Sequence, residues 1–130
     1  MNIFKFLLLT FFISNLATSQ HKLTENPCSI AHTGTFYKNT SKMQITISRT
    51  ENKQVDKIFY DNNNFYVYSE IKWLNDCEYQ LKMTATTLPS FKYQPGDILN
   101  VKINKIEGNI IYFTTSVNDD SWEDNVTKQE

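Results

Sequence analysis

Two β-strands and the turn that joins them are encoded in residues 65–86, FYVYSEIKWLNDCEYQLKMTAT. Every second side chain belongs to one apolar face, formed by Phe65, Val67, Ser69, Ile71 and Trp73 in the first half and by Tyr79, Leu81, Met83 and Ala85 in the second. Such alternation is typical of strands that bury one face. A three-residue turn at residues 74–76 would put both sets on the same side of the hairpin. It pairs Trp73 with Cys77, Ile71 with Tyr79, Ser69 with Leu81 and Val67 with Met83, and on the other face Lys72 with Glu78 and Glu70 with Gln80.

Neighbouring segments extend this hairpin into a meander. The segment Met43–Arg49 alternates and is rich in β-branched residues, which favours a strand. Polar turns at residues 50–53 and 61–64 would then fold the chain back twice. The predicted pairs are Arg49 with Gln54, Ile47 with Asp56, Ile45 with Ile58 and Met43 with Tyr60, and after the second turn Tyr60 with Phe65, Ile58 with Val67 and Asp56 with Ser69. In this register, the apolar residues of these strands all lie on the same face of the sheet.

Three further strands are predicted. One opens at Gly34, and two others flank a loop at residues 106–108, with Gly108 at a position that needs positive φ. That loop pairs Ile103 with Ile111 and Val101 with Phe113. Because no helical period follows residue 20, we predict an all-β antiparallel meander of about seven strands. Closure removes sheet edges, which favours a lipocalin-like barrel or half-barrel, with a β-sandwich as the alternative.

The chain divides into four segments by pattern. Residues 1–19 resemble a signal peptide, with a basic start at Lys5, a short apolar run and small residues before a cleavage point after Ser19. A buried N-terminal helix is the alternative, since the apolar run is too short to span a membrane. Residues 20–33 form an N-terminal arm, residues 34–118 the β domain, and residues 119–130 an acidic tail in which a last strand remains possible. We therefore expect a secreted or periplasmic protein, with no membrane association after signal removal.

Charge and cysteine content limit the classes of partner and ligand that the protein is expected to bind. The net charge is −1, and about −2 without Lys5, which argues against a nucleic-acid partner. Two cysteines in an exported chain predict a disulfide between Cys28 and Cys77. The spacing of the cysteines and histidines does not fit a metal site.

Several motifs resemble those of a known group. The segments 49–51 and 54–56, then residues 71–79 (IKWLNDCEY) and 96–101 (GDILNV), resemble small exported β proteins of Bacteroidota. Some members of that group carry a DNA topoisomerase IV label that a short, non-basic exported chain does not support. The resemblance implies compartment and fold rather than an activity. Gly34-Thr35-Phe36 is also similar to the G-x-W opening of lipocalins and fatty-acid-binding proteins, with phenylalanine in place of tryptophan.

One polar cluster stands out on the predicted apolar face. The register brings Arg49, Gln54, Asp56 and Ser69 to one end of the face that also carries Trp73. A buried charge is costly unless it is paired, so the cluster is either an Arg49–Asp56 pair that caps the core or a polar anchor at the mouth of a cavity. An arginine inside a small barrel can hold a carboxylate or phosphate. These five residues are the candidate ligand site.

The sequence contains no G-x-S-x-G, H-E-x-x-H or glycine-rich phosphate loop. We therefore expect no enzymatic activity, cofactor or metal, and predict a noncatalytic binding module for a small apolar or anionic ligand. The alternative is a structural or protein-interaction module with a filled core. It would use the aromatic outer face formed by Phe59, Tyr66 and Tyr68 to bind a protein partner.

Overall fold

Eight antiparallel strands close into a barrel in the computed structural model, which describes residues 27–130. A 3-10 helix, Pro27–Ala31, precedes them. The strands are β1 (Gly34–Asn39), β2 (Met43–Arg49), β3 (Lys53–Tyr60), β4 (Asn63–Asn75), β5 (Glu78–Thr86), β6 (Ile98–Glu107), β7 (Ile110–Val117) and β8 (Asp120–Lys128). Each strand pairs with its neighbours in sequence, and β8 returns to β1. The predicted all-β meander barrel is confirmed, and the sandwich is excluded. The signal peptide predicted for residues 1–19 lies outside the described residues.

The hairpin between β2 and β3 has the predicted register. Arg49 pairs with Gln54, Ile47 with Asp56, Ile45 with Ile58 and Met43 with Tyr60. The turn at residues 50–52 is closed by the Thr50 side chain, whose hydroxyl accepts a hydrogen bond from the Lys53 amide at 3.2 Å. This local polar contact explains why the turn could be recognised from sequence.

The predicted four-residue turn between β3 and β4 is wrong. Only Asp61 and Asn62 form the turn, both at positive φ (51° and 60°), as a type I′ turn requires. Asn and Asp adopt this conformation readily, and its twist matches that of the flanking strands. The observed pairs are Tyr60 with Asn63, Ile58 with Phe65, Asp56 with Val67 and Gln54 with Ser69. Each partner is displaced by two residues, so every side chain keeps its predicted face.

The predicted registers of the β4–β5 and β6–β7 hairpins are also wrong. Both turns have two residues, and irregularities beside Leu74 and Asn104 absorb the extra residue. The β4–β5 pairs are Trp73 with Tyr79, Ile71 with Leu81, Ser69 with Met83, Lys72 with Gln80 and Glu70 with Lys82, and Val67 lies opposite Thr86. A further irregularity between Tyr68 and Ser69 places Ala85 opposite Tyr68, so the prediction that Ala85 faces inward is wrong. In β6–β7, Ile103 pairs with Phe113, Ile106 with Ile111 and Val101 with Thr115. Gly108 has the expected positive φ of 58°.

The segment predicted as an acidic tail is strand β8. It pairs with β7 along its whole length, from Val117 opposite Asp120 to Ile110 opposite Thr127. Its interior side chains include the charged Asp124 beside Val126. That charge hides the apolar alternation that would have identified the strand from sequence.

Each end of the barrel is covered. The 3-10 helix covers one end, where Cys28 and Ala31 join the larger core cluster. The predicted disulfide between Cys28 and Cys77 is present, with Cα atoms 5.3 Å apart, and it ties this helix to the β4–β5 turn. Residues 87–97 cover a second, smaller cluster, whose buried members are Ile58, Val67 and Met83 and against which Leu88, Phe91 and Tyr93 pack.

Candidate functional site

A cavity of about 190 Å³ that is partly open to the surface lies among the inward-facing side chains of the barrel. Its apolar walls include Ile45, Leu81, Leu99, Val101, Phe113 and Val126. Its polar lining includes Arg49, Gln54 and Asp56, which project inward from β2 and β3. The structure therefore brings three of the five sequence-predicted site residues into one cavity.

Arg49, the sole arginine of the sequence, is buried with 7% exposure and is held by three acceptors. Its Nε donates to Gln54 Oε1 at 2.9 Å, one terminal nitrogen donates to the Ala31 carbonyl at 2.5 Å, and the other donates to the Tyr79 hydroxyl at 3.0 Å. The rings of Phe36 and Tyr79 each lie 4.9 Å from its Cζ. Arg49 therefore ties the 3-10 helix, β3 and β5 together.

Asp56 is joined to this network through Gln54 rather than through a direct ion pair with Arg49. Gln54 Nε2 donates to Asp56 Oδ1 at 2.9 Å, while the Gln54 carbonyl oxygen accepts from Arg49. Loss of hydration on burial raises the pKa of Asp56 to about 6, against the opposing effects of the Gln54 hydrogen bond and the Arg49 charge. Arg49 and Asp56 are thus linked through the neutral side-chain amide of Gln54 and do not form the predicted direct pair.

Tyr79 belongs to the same network although it was not predicted as a site residue. Burial is the main reason that its pKa is raised, and the Asp56 charge acts in the same direction. Its neutral hydroxyl accepts the Arg49 hydrogen bond. Its position on the apolar face was the available sequence signal, but the non-local contact with Arg49 depends on barrel closure.

The remaining two predicted site residues lie outside the cavity lining. Ser69 faces Gln54 across the strand pair but is separated from the cavity. Trp73 instead stacks on His32, with ring centroids 3.7 Å apart, and contacts Tyr79 at 4.6 Å. Its indole N–H is buried and has no hydrogen-bond partner within residues 27–130. Trp73 is therefore part of the packing around the 3-10 helix.

Further polar groups line the cavity at the seam between β1 and β8. Only two residue pairs join these strands, Phe36 with Lys128 and Tyr37 with Thr127. Beyond them, Lys38 and Asp124 form an ion pair across the seam, and both side chains line the cavity. This is the least extensively paired seam of the barrel wall. Sequence reasoning missed it because Lys38 lies between the predicted strand and turn, and Asp124 lies in the predicted tail.

Lys128 closes the seam at the helix end. Its ammonium donates to the Ile30 carbonyl at 2.8 Å and lies 5.9 Å from the Phe36 ring. The Lys128 side chain passes over Gly34, where an added Cβ would lie 2.9 Å from Lys128 Cε, and Gly34 has a φ of 125°. The structure therefore requires glycine at position 34, the position that matches the glycine of the G-x-W opening.

Comparisons with protein-family models, curated proteins and solved structures found no match. Within residues 27–130, no group of three or more metal-ligating side chains could hold a metal ion. No helix in the same range is long and apolar enough to cross a membrane.

Proposed function

We propose that the protein is an exported, noncatalytic module that binds a small, mostly apolar ligand inside the barrel. The observation that carries this proposal is the cavity of about 190 Å³, which has a mostly apolar lining and a polar cluster of Arg49, Gln54 and Asp56. Binding sites for small molecules commonly combine apolar walls with a few convergent polar groups. A core that served only stability would gain from filling this space.

The cavity volume limits the ligand to a small molecule. Dry apolar cavities of about 150 Å³ bind benzene, and drug-sized ligands occupy about 300–1,000 Å³. At about 190 Å³, the cavity suits a single substituted ring or a short aliphatic chain. We expect modest affinity, because a ligand of this size has few atoms in contact with the protein.

The proposed location outside the cytoplasm is supported by the disulfide between Cys28 and Cys77. Disulfides persist in the periplasm and in secreted proteins, whereas cytosolic thiols are kept reduced. The pattern of residues 1–19 points in the same direction.

A matched pair of substitutions on β6 tests the binding function. Leu99 lines the cavity, whereas its neighbour Ile98 points outward and is 45% exposed. Calorimetric titration with toluene, an apolar probe, should detect binding to the wild-type protein and to Ile98→Trp. Binding to Leu99→Trp should be weaker by at least about tenfold, because the indole would occupy the cavity. A wild-type protein that takes up neither toluene nor its hydroxyl and amino derivatives p-cresol and p-toluidine would overturn the proposal, and unfolding curves would confirm that both variants fold.

An interaction module is the second candidate function, and the outer face of β2, β3 and β4 favours it. Phe59 and Tyr68 are exposed there, and Tyr66 stacks on Tyr68 with ring centroids 6.1 Å apart. A shallow surface groove next to Phe59 also includes Lys57. Exposed aromatic side chains of this kind are common in protein interfaces. If this face binds the partner, Phe59→Lys with Tyr68→Lys should abolish the interaction and leave toluene binding unchanged.

A further inference from the structure

We propose that the ligand is an uncharged molecule with a hydroxyl or amino group that donates a hydrogen bond to Asp56, rather than an anion held by Arg49. This inference rests on the proposed function, since it specifies the ligand of the same cavity. It reverses the expectation from sequence, in which the arginine was the anchor for an anionic group.

Arg49 already uses three of its five N–H groups within the protein. Binding of a carboxylate by arginine is strongest when two neighbouring N–H groups point at its two oxygens. Each of the three guanidinium nitrogens of Arg49 already donates to a protein acceptor. The rings of Phe36 and Tyr79 also lie close to the guanidinium, each 4.9 Å from Cζ. Its hydrogen bonds therefore serve the protein's own structure.

Asp56, by contrast, has unused acceptor capacity. A carboxylate has about four acceptor positions on two oxygens. The side chain of Asp56 receives one hydrogen bond from residues 27–130, which Gln54 Nε2 donates to Oδ1. Asp56 is a cavity-lining residue that is only partly buried. A carboxylate that has lost part of its hydration and receives only one hydrogen bond is costly, and a ligand that supplies a donor would reduce that cost.

A second polar group on the far wall supports this assignment independently. Thr115 on β7 is 4% exposed and lines the same cavity. Its hydroxyl has no hydrogen-bond partner in the part of the chain that the structure describes. Because β3 and β7 are four strands apart in a ring of eight, Asp56 and Thr115 lie on opposite walls. The cavity thus offers an acceptor on one wall and a free hydroxyl on the other.

The charge distribution disfavours an anionic headgroup. Arg49 offsets the charge of Asp56, so the polar end has no net positive charge to attract a carboxylate or phosphate, and such a group would lie close to the Asp56 carboxylate. The other charged groups lining the cavity, Lys38 and Asp124, neutralise each other in an ion pair. An uncharged donor avoids the repulsion and fills the vacant acceptor position.

Four probes that share one methylated ring test the assignment by calorimetric titration: toluene, p-cresol, p-toluidine and p-toluate. At about pH 8 Asp56 is ionised, since its pKa is about 6, and p-cresol is neutral, as a phenol with a pKa near that of tyrosine. We expect p-cresol and p-toluidine to bind about tenfold more tightly than toluene. Binding of p-toluate should be the weakest of the four.

Two substitutions at Asp56 identify the acceptor. In Asp56→Leu the preference for p-cresol over toluene should be lost, because the acceptor of the hydroxyl is removed. Asp56→Asn keeps an acceptor oxygen and should show an intermediate preference. Lys57→Gln, on the outer face of the same strand, is the matched control and should bind all four probes as the wild-type protein does.

The outcomes separate this inference from the proposed function. If toluene binds at least as tightly as p-cresol and p-toluidine, or if p-toluate binds most tightly, the Asp56 assignment is wrong while the cavity remains a binding site. If none of the four probes binds the wild-type protein, both proposals fail. The relative affinities of the four probes for the wild-type protein test the Asp56 assignment even if Asp56→Leu does not fold.

Discussion

Asp56 combines burial, a single internal hydrogen bond and a pKa raised to about 6. A raised carboxyl pKa means that the folded protein keeps its proton between about pH 4 and 6, where the unfolded chain has lost it. Within this window the free energy of unfolding therefore falls as the pH rises, and above about pH 6 the loss is complete. A shift of about two units corresponds to at most about 3 kcal/mol.

Asp56→Asn should remove this pH dependence. The amide keeps the shape of the side chain and an oxygen that can accept from Gln54, but it carries no charge to desolvate. Relative to the wild-type protein, the variant should gain stability from pH 4 to 7, by up to about 3 kcal/mol. Urea unfolding curves over this range measure the difference. A constant difference between the two proteins would show that Asp56 is not desolvated in the folded state.

Arg49 is expected to contribute mainly to stability. Arg49→Met removes three hydrogen bonds and leaves the Ala31 carbonyl, Gln54 and the Tyr79 hydroxyl without this donor. At about 1 kcal/mol per bond, the free energy of unfolding should fall by about 3 kcal/mol. Lys53→Met, on the exposed start of β3, is the control and should change stability by less than about 0.5 kcal/mol. Equal stability of the two variants in urea denaturation would contradict the structural role of Arg49.

For the site residues, the sequence predicted which side chains lie close together but not what each side chain does. Arg49, Gln54 and Asp56 are joined by one short turn and an alternating pattern, so their common face followed from sequence. That Gln54 stands between the two charges depends on side-chain geometry. The contribution of Thr115 depends on which strand lies opposite β3, and this is settled only when the barrel closes.

At the scale of elements, errors in register left the fold prediction intact. Three hairpins have shorter turns than predicted, yet most inward-facing residues remained inward because partners moved by two residues or a bulge absorbed the odd residue. Ala85 is the exception, since an irregularity between Tyr68 and Ser69 turns it outward. Bulges beside Leu74 and Asn104 have no local sequence signal of the kind that marks the Asp61-Asn62 turn. Apolar periodicity predicts which face of a strand is buried more reliably than it predicts which residues pair across two strands.

The disulfide holds the 3-10 helix together with the hydrogen bonds that Arg49 and Lys128 donate to the carbonyls of Ala31 and Ile30. Cys28 and Cys77 are 49 positions apart, and the chain-entropy model assigns about 4 kcal/mol to a loop of that size. Reduction should lower the free energy of unfolding by about that amount and expose the barrel end that Ala31 covers. Urea unfolding with and without dithiothreitol measures the effect. Cys28→Ala with Cys77→Ala is the control, since it should be insensitive to the reductant. A wild-type protein with the same stability in both conditions would contradict this assignment.

At the scale of the whole molecule, the barrel is covered at both ends and left partly empty between them. The helix and the loop at residues 87–97 seal different core clusters, while Arg49, Asp56 and Thr115 face the space between. The loop is also anchored to the start of β8, through an ion pair of Lys92 with Asp120 and stacking of Tyr93 on Trp122. Sequence predicted the barrel but not its volume, because an internal cavity depends on how all eight strands pack together.

The most direct test of the central claim is a crystal structure of the protein soaked with p-cresol. We expect electron density for one ring inside the barrel, packed against Val101 and Phe113, with the hydroxyl within hydrogen-bond distance of the Asp56 carboxylate. A barrel whose interior is filled by its own side chains, with p-cresol absent or bound only outside, would contradict the account.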